Sequence, residues 1–203
     1  MSARENAEKL VSKLDNSNFD IRNDTIEKLT QLRDTEVVDY LISLLESKAN
    51  KLVKESVCIA LGKIGDKKAT QALIENLENG YESVRYQATI ALGKIADAKA
   101  VPSLIEVLKK QEDSLVRSEA AKALGMIGDP SAYKILITIL RKEEDRFMKY
   151  HTVTSLGKIG NKKATKDLQK IAKESNDDRL VLRAMEALEL IEKHNREIRL
   201  VAG

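Results

Sequence analysis

The chain has 203 residues, 42 % hydrophobic and 3 % aromatic, with nine Gly, two Pro and no Trp. That is enough apolar material for a packed core, which excludes wholesale disorder. The scarcity of aromatics, Gly and Pro disfavours a β-sandwich or barrel. Lys and Arg number 35 against 32 Asp and Glu, and a formal net charge of +3 neither requires nor excludes a polyanionic partner.

Charged residues make up a third of the chain and are interspersed along it, which fits a solvated helical surface. Cys58 is the single cysteine, so no intramolecular disulfide can form. The start, Met1-Ser2-Ala3-Arg4-Glu5, carries no apolar leader-like stretch, and no apolar run approaches the roughly 18 residues of a membrane span. A cytoplasmic location without membrane contact is the resulting expectation.

An internal repeat organises the whole chain. Ala60-Leu61-Gly62-Lys63-Ile64-Gly65-Asp66 recurs from Ala91, from Ala123 and, with Ser155 in the first place, from Ser155. Leu29, Leu61, Leu92, Leu124, Leu156 and Leu188 follow one another at intervals of 31 or 32 residues. A single domain over 1–203 results, with units at 1–33, 34–65, 66–96, 97–128, 129–160 and 161–193 and a tail at 194–203.

Each unit holds two helices, here A and then B. In the third unit, Ala69, Ala72, Leu73 and Leu77 predict an A helix over Lys68–Asn76. Val84, Ala88, Ala91, Leu92 and Ile95 predict a B helix over Ser83–Ile95. Both apolar faces are wide, so each helix needs neighbours on more than one side, and stacked hairpins supply them.

Punctuation falls at matching places. Asp34, Asp66, Asp97, Asp129 and Asn161 are N-cap candidates for the A helices, with Pro130 and Pro102 in first turns. Asn18, Asn50, Asp113, Asp145 and Asp177 are candidates for the B helices, and Tyr81 breaks that row. Gly65, Gly128 and Gly160 suit a left-handed C′ position. Gly62, Gly93, Gly125 and Gly157 lie inside B helices, where each costs about 1 kcal/mol relative to Ala. A cost repeated at one register predicts a neighbouring helix too close for a Cβ. Thr30 and Glu189 fill that register in the end units, and Glu186, Glu192 and Lys193 give the last B helix a polar outer face, as capping units require. From Asn195 the pattern breaks, and a loose or folded-back tail is expected.

With these residues in place, the chain resembles the short HEAT-like repeats first recognised in phycobilin lyase subunits. The shared core is Val-Arg-x-x-Ala-x-x-Ala-Leu-Gly-x-Ile-Gly-Asp, clearest from Val84-Arg85 to Asp97 and from Val116-Arg117 to Asp129. The resemblance spans about residues 1–193. It implies an all-α, right-handed solenoid (superhelix) of six HEAT-like two-helix repeats and about twelve helices, with B helices lining the concave side. It is specific for fold and weak for function, because relatives include adaptors, scaffolds, bilin lyases and deoxyhypusine hydroxylases.

Three constellations are candidates for function. Arg22, Lys54, Arg85, Arg117 and Lys149 share a register early in the B helices. An anion ladder is one reading. The family's structural arginine, which bonds acidic or carbonyl groups of its own or the next repeat, is the better one. Lys63, Lys94 and Lys158 form a second basic row, interrupted by Gln31 and Met126. It could meet phosphates, but nucleic-acid binding needs more positive charge and more stacking rings than this chain has. Outward-facing B positions, as the family implies them, are apolar: Leu52, Ile59, Tyr86, Ile90, Leu115, Met126, Phe147, Tyr150, Leu182 and Leu190. Exposed together, such side chains mark protein interfaces; buried between repeats, they are core.

Catalysis has little support. His151 and His194 are the two histidines, and neither belongs to a His-Glu pair of the kind that holds the hydroxylases' di-iron centre. HExxH, CxxC and P-loop motifs are absent. Cys58 falls in a core register, where a buried small thiol is expected. The leading expectation is therefore a non-catalytic protein-binding scaffold or adaptor without cofactor or metal. Its contacts are Leu52, Ile59, Lys63, Tyr86, Ile90, Lys94, Leu115, Met126, Phe147, Tyr150 and Lys158. A nucleic-acid binder using the Lys row and a bilin-lyase-like subunit are the alternatives.

Overall fold

A computed structural model describes residues 2–202 apart from 33, 111–113 and 144. Twelve α-helices and four short 3₁₀ turns follow one another among the described residues. The chain forms two compact units, Met1–Ala100 and Val101–Gly203. The first holds α1 (Ala3–Val11), α2 (Phe19–Gln31), α3 (Thr35–Glu46), α4 (Lys51–Ile64), α5 (Thr70–Asn79) and α6 (Glu82–Ile95). The second holds α7 (Val101–Lys109), α8 (Ser114–Ile127), α9 (Tyr133–Lys142), α10 (Arg146–Ile159), α11 (Thr165–Glu174) and α12 (Asp178–Ala202). Odd-numbered helices are the A helices and even-numbered ones the B helices.

Within each unit the B helices stack side by side, α4 against α2 and α6, and α10 against α8 and α12. Each A helix leans on its own B helix. The repeat leucines lie where these layers meet. Leu29, Leu61, Leu92, Leu124 and Leu156 are fully buried, each stabilising the fold by roughly 1.5–3 kcal/mol. Leu188, on the last B helix, is only half-buried.

The glycine register marks the joints between B helices. A Cβ on Gly62 would lie 2.8 Å from Ala91 Cα, one on Gly125 2.6 Å from Ser155 Cα, and one on Gly157 2.7 Å from Ala187 Cα. The partner is small in every case, so two helix backbones approach with nothing larger between them. Ser155 also donates its hydroxyl to Ala121 O at 2.7 Å, tying α10 to α8.

Capping follows the predicted register. Asp34, Asp66, Asp97, Asp129 and Asn161 each accept from the backbone N–H two residues on. After the last four, however, the chain first makes a 3₁₀ turn, as at Lys67–Ala69, and the α-helix starts at Thr70 rather than at Lys68. There the Asp66 carboxylate holds Lys68 N–H while Ala69 N–H reaches Asp66 O, which closes a three-residue turn. The A helix also runs to Asn79, beyond the predicted Asn76. Asn18, Asn50, Asp145 and Asp177 cap the B helices as expected, and Asp113 lies outside the described residues.

Gly65, Gly128 and Gly160 end α4, α8 and α10 at φ between 73° and 79°. In α6 the same place is taken by Ala96 at φ 54°, a left-handed conformation that an L side chain resists. The expected loose tail is instead helix, since α12 continues unbroken to Ala202. Asn195 braces it by donating its side-chain amide to Gly160 O at 3.2 Å and Ile191 O at 2.6 Å. Glu192, Arg196, Glu197 and Arg199 are good helix formers that need no buried partner.

Candidate protein-binding surface

Three members of the early basic row, Arg22, Lys54 and Arg117, are part of the scaffold. Arg22 donates to Asn16 O at 2.6 Å and to Ser17 O at 3.0 Å. Lys54 Nζ caps Leu45 O at the end of α3 at 2.7 Å, and Arg117 Nη2 reaches Glu143 in the next repeat at 3.1 Å. Lys54 thus satisfies a carbonyl left open where an A helix ends, Arg22 ties down the α1–α2 connection, and Arg117 forms an ion pair between repeats.

Lys63, Lys94 and Lys158 are exposed in the last turns of α4, α6 and α10. A cation there complements the partial negative charge of the helix C-terminus. Lys63 is in addition ion-paired with Glu27 of the preceding repeat.

The apolar positions divide by unit. In the first, Leu52, Ile59, Tyr86 and Ile90 are only partly exposed. Polar neighbours are matched to one another: Ser83 donates to Glu55, and Lys51 lies 3.9 Å from the same carboxylate. In the second, Leu115 on α8 is 63 % exposed, Phe147 on α10 66 % and Leu182 on α12 57 %, with Met126 and Leu190 also exposed.

Tyr150 departs from its expected place at the surface and is only 7 % exposed. Its hydroxyl donates to Asp177 Oδ2 at 2.7 Å, its ring meets Phe147 edge-on, and the Arg183 guanidinium lies 5.6 Å from its centroid. The bond to Asp177 pushes the phenol pKa up, and the same bond holds the Asp177 carboxyl below its ordinary value. Asp177 also caps α12 and lies 3.3 Å from Arg146. Sequence spacing located this capping residue but carried no sign that a tyrosine one repeat earlier would share it.

Phe147, Tyr150 and His151 of α10 face Arg179, Leu182, Arg183 and Glu186 of α12 across a surface cleft of about 450 Å³. Arg183 is held in place by Tyr150 and by Thr154, whose Oγ1 accepts from its Nη1 at 3.1 Å. His151 is half-buried. Burial lowers its pKa, aided by the charges of Lys122 and Arg183 and opposed by those of Glu119 and Asp145.

Cys58 is fully buried, and burial pushes its thiol up to about 12, so at neutral pH it is not a thiolate. Among the described residues no group of three or more His, Cys, Asp or Glu side chains is disposed to hold a metal ion, and no helix is long and apolar enough to cross a membrane.

Stacked helix pairs with small-residue joints at Gly62, Gly125 and Gly157 and capped turns between repeats define an α-solenoid. The HEAT repeats family matches residues 7–84 and 73–153, and the chain belongs to that family. Among curated proteins none matches the chain. Two engineered proteins are similar in structure. One is 22 % identical with a TM-score of 0.61, covering 93 % of this chain and 97 % of its own. The other is 24 % identical with a TM-score of 0.61, covering 92 % and 98 %. A designed armadillo repeat protein in complex with the peptide (KR)4 is 17 % identical with a TM-score of 0.59, over 90 % of this chain and 98 % of that one.

Proposed function

We propose that this protein is a non-catalytic interaction module, a scaffold or adaptor that binds a partner protein through the outward side chains of its B helices. The observation that carries this reading is the exposure of Leu115, Phe147 and Leu182 on three successive B helices of the second unit. Leu115 and Phe147 share a register and Leu182 falls three residues further along its helix; large apolar side chains left in water close together are a typical feature of interfaces, where their removal from water drives association. Leu52, Ile59, Tyr86 and Ile90, with Lys63 and Lys94, offer a flatter and more polar surface in the first unit. In the second, Tyr150 lines the cleft beside Phe147, and Met126 and Lys158 are exposed near the ends of α8 and α10. Peptide binding by a designed armadillo relative of similar fold is consistent with this use of the architecture.

The test is affinity capture from the native host with the full chain as bait, followed by mass spectrometry. Proteins held by the wild type are expected to disappear from a Leu115→Ser, Phe147→Ser, Leu182→Ser variant whose circular dichroism is unchanged. Undiminished capture by a folded variant would remove the B-helix face from the reading.

A further inference from the structure

Resting on that interaction face, we propose a chemistry for the partner: the cleft between α10 and α12 takes an apolar side chain that is flanked by carboxylates, as in an acidic segment of another protein. The apolar requirement comes from the walls. Phe147 and Leu182 rise from neighbouring helices, each more than half exposed, above a floor formed by Tyr150 and His151. A volume of about 450 Å³ admits a Leu or Phe side chain with part of its backbone. Entry of such a group releases water from both walls at once.

The acidic requirement comes from the rim. Arg179 and Arg183 stand four residues apart on one face of α12, and Glu186 is the one carboxylate among the lining residues. The other acids near the cleft are already engaged, Asp145 by Met148 N–H at 2.7 Å as the cap of α10. Asp177 is held by Tyr150 and Arg146, and Glu119 lies 2.9 Å from Lys122. The cleft therefore presents surplus positive charge. Arg183 is fixed by the Tyr150 ring and Thr154, so a guanidinium stands ready for a carboxylate with little side-chain entropy left to lose. A nucleic acid fits less well. A single exposed ring offers no stacking track, and Glu186 would face the phosphates.

The full chain should be titrated into a fluorescein-labelled peptide carrying Leu-Phe between pairs of Asp and Glu, with binding read by fluorescence anisotropy. Three further probes are the same peptide with Lys in place of each acid, the same peptide with Ala in place of Leu-Phe, and an oligothymidylate. The acidic apolar peptide is expected to bind at least about tenfold more tightly than any of these, and to weaken by about that factor with Phe147→Ser and with Arg179→Glu. Preference for the Lys peptide or the oligonucleotide, or an Arg179→Glu variant that binds the acidic peptide unchanged, overturns the proposal. If the Lys peptide wins yet Phe147→Ser still abolishes its binding, the acidic partner is wrong and the interaction face stands. If Phe147→Ser weakens none of the probes that bind, both fall.

Discussion

Along α2, α4 and α6 the outward side of the B helices is stitched together by its own polar groups, Glu27 with Lys63, Asp24 with Lys28, Glu55 with Ser83. Leu52, Ile59, Tyr86 and Ile90 on α4 and α6 are half covered, and only the first turn of α2 leaves hydrocarbon exposed, at Phe19 and Ile21. Along α10 and α12 the same side carries bare hydrocarbon and arginines. Both halves have glycine joints between B helices, capped A helices and buried repeat leucines, so the difference lies in side chains that the stack does not use. Positions that point into the stack are alike in both units, and positions that point out are free to diverge. Stability and recognition are written at separate places in one repeat.

The largest expected effect sharpens the likeness of the two units. Gly125→Val would drive a branched side chain into the Ser155 backbone and should cost about 2–3 kcal/mol, seen as a lower urea midpoint. Gly62→Val, against Ala91, should cost a similar amount. A joint that tolerates Val in one unit alone would break the comparison.

Next come the outward faces, where the units should part. Ile59→Ser and Ile90→Ser remove half-buried hydrocarbon and should each cost about 1 kcal/mol of stability while weakening partner capture less than changes in the second unit do. Phe147→Ser and Leu182→Ser should stay within about 0.5 kcal/mol of the wild type yet lose the partner.

A smaller gain is expected at the end of α6. Ala96→Gly relieves a left-handed φ and should stabilise the first unit by about 1 kcal/mol, raising its urea midpoint. Gly128→Ala imposes the same strain on the second unit and should cost about as much.

The smallest effect is a pH dependence confined to the second unit. Folding lowers the pKa of His151 through burial. Between the unfolded value near 6.5 and the lower folded value, the unfolded chain therefore holds more protons. Stability is full above that window and declines as pH falls through it. Amide exchange in α10 should quicken on acidification from neutrality while exchange in α4 does not, and His151→Gln should remove the difference.

The architecture was legible because it rests on periodic residues. Leucines at intervals of 31 or 32, a small-residue joint and a cap at each turn mark their places without tertiary knowledge. Less legible was what depends on depth. Spacing puts Leu115, Tyr150 and Leu182 on an outward face, but only packing shows that Tyr150 sinks beneath Arg183 while the two leucines stay bare. The C-terminal helix was missed for a related reason. Its last residues carry no repeat pattern, and their order rests on intrinsic helix propensity and on the bond from Asn195 to Gly160.

The joints have one more consequence. Gly62 meets Ala91, and Gly157 meets Ala187, through the same pair of residue types. A gene duplication or deletion spanning one whole period would regenerate a compatible seam at its new boundary. Such a chain can change length in steps of one repeat without inventing a new contact, and with each step it gains or sheds one outward row of side chains available for natural selection to rewrite.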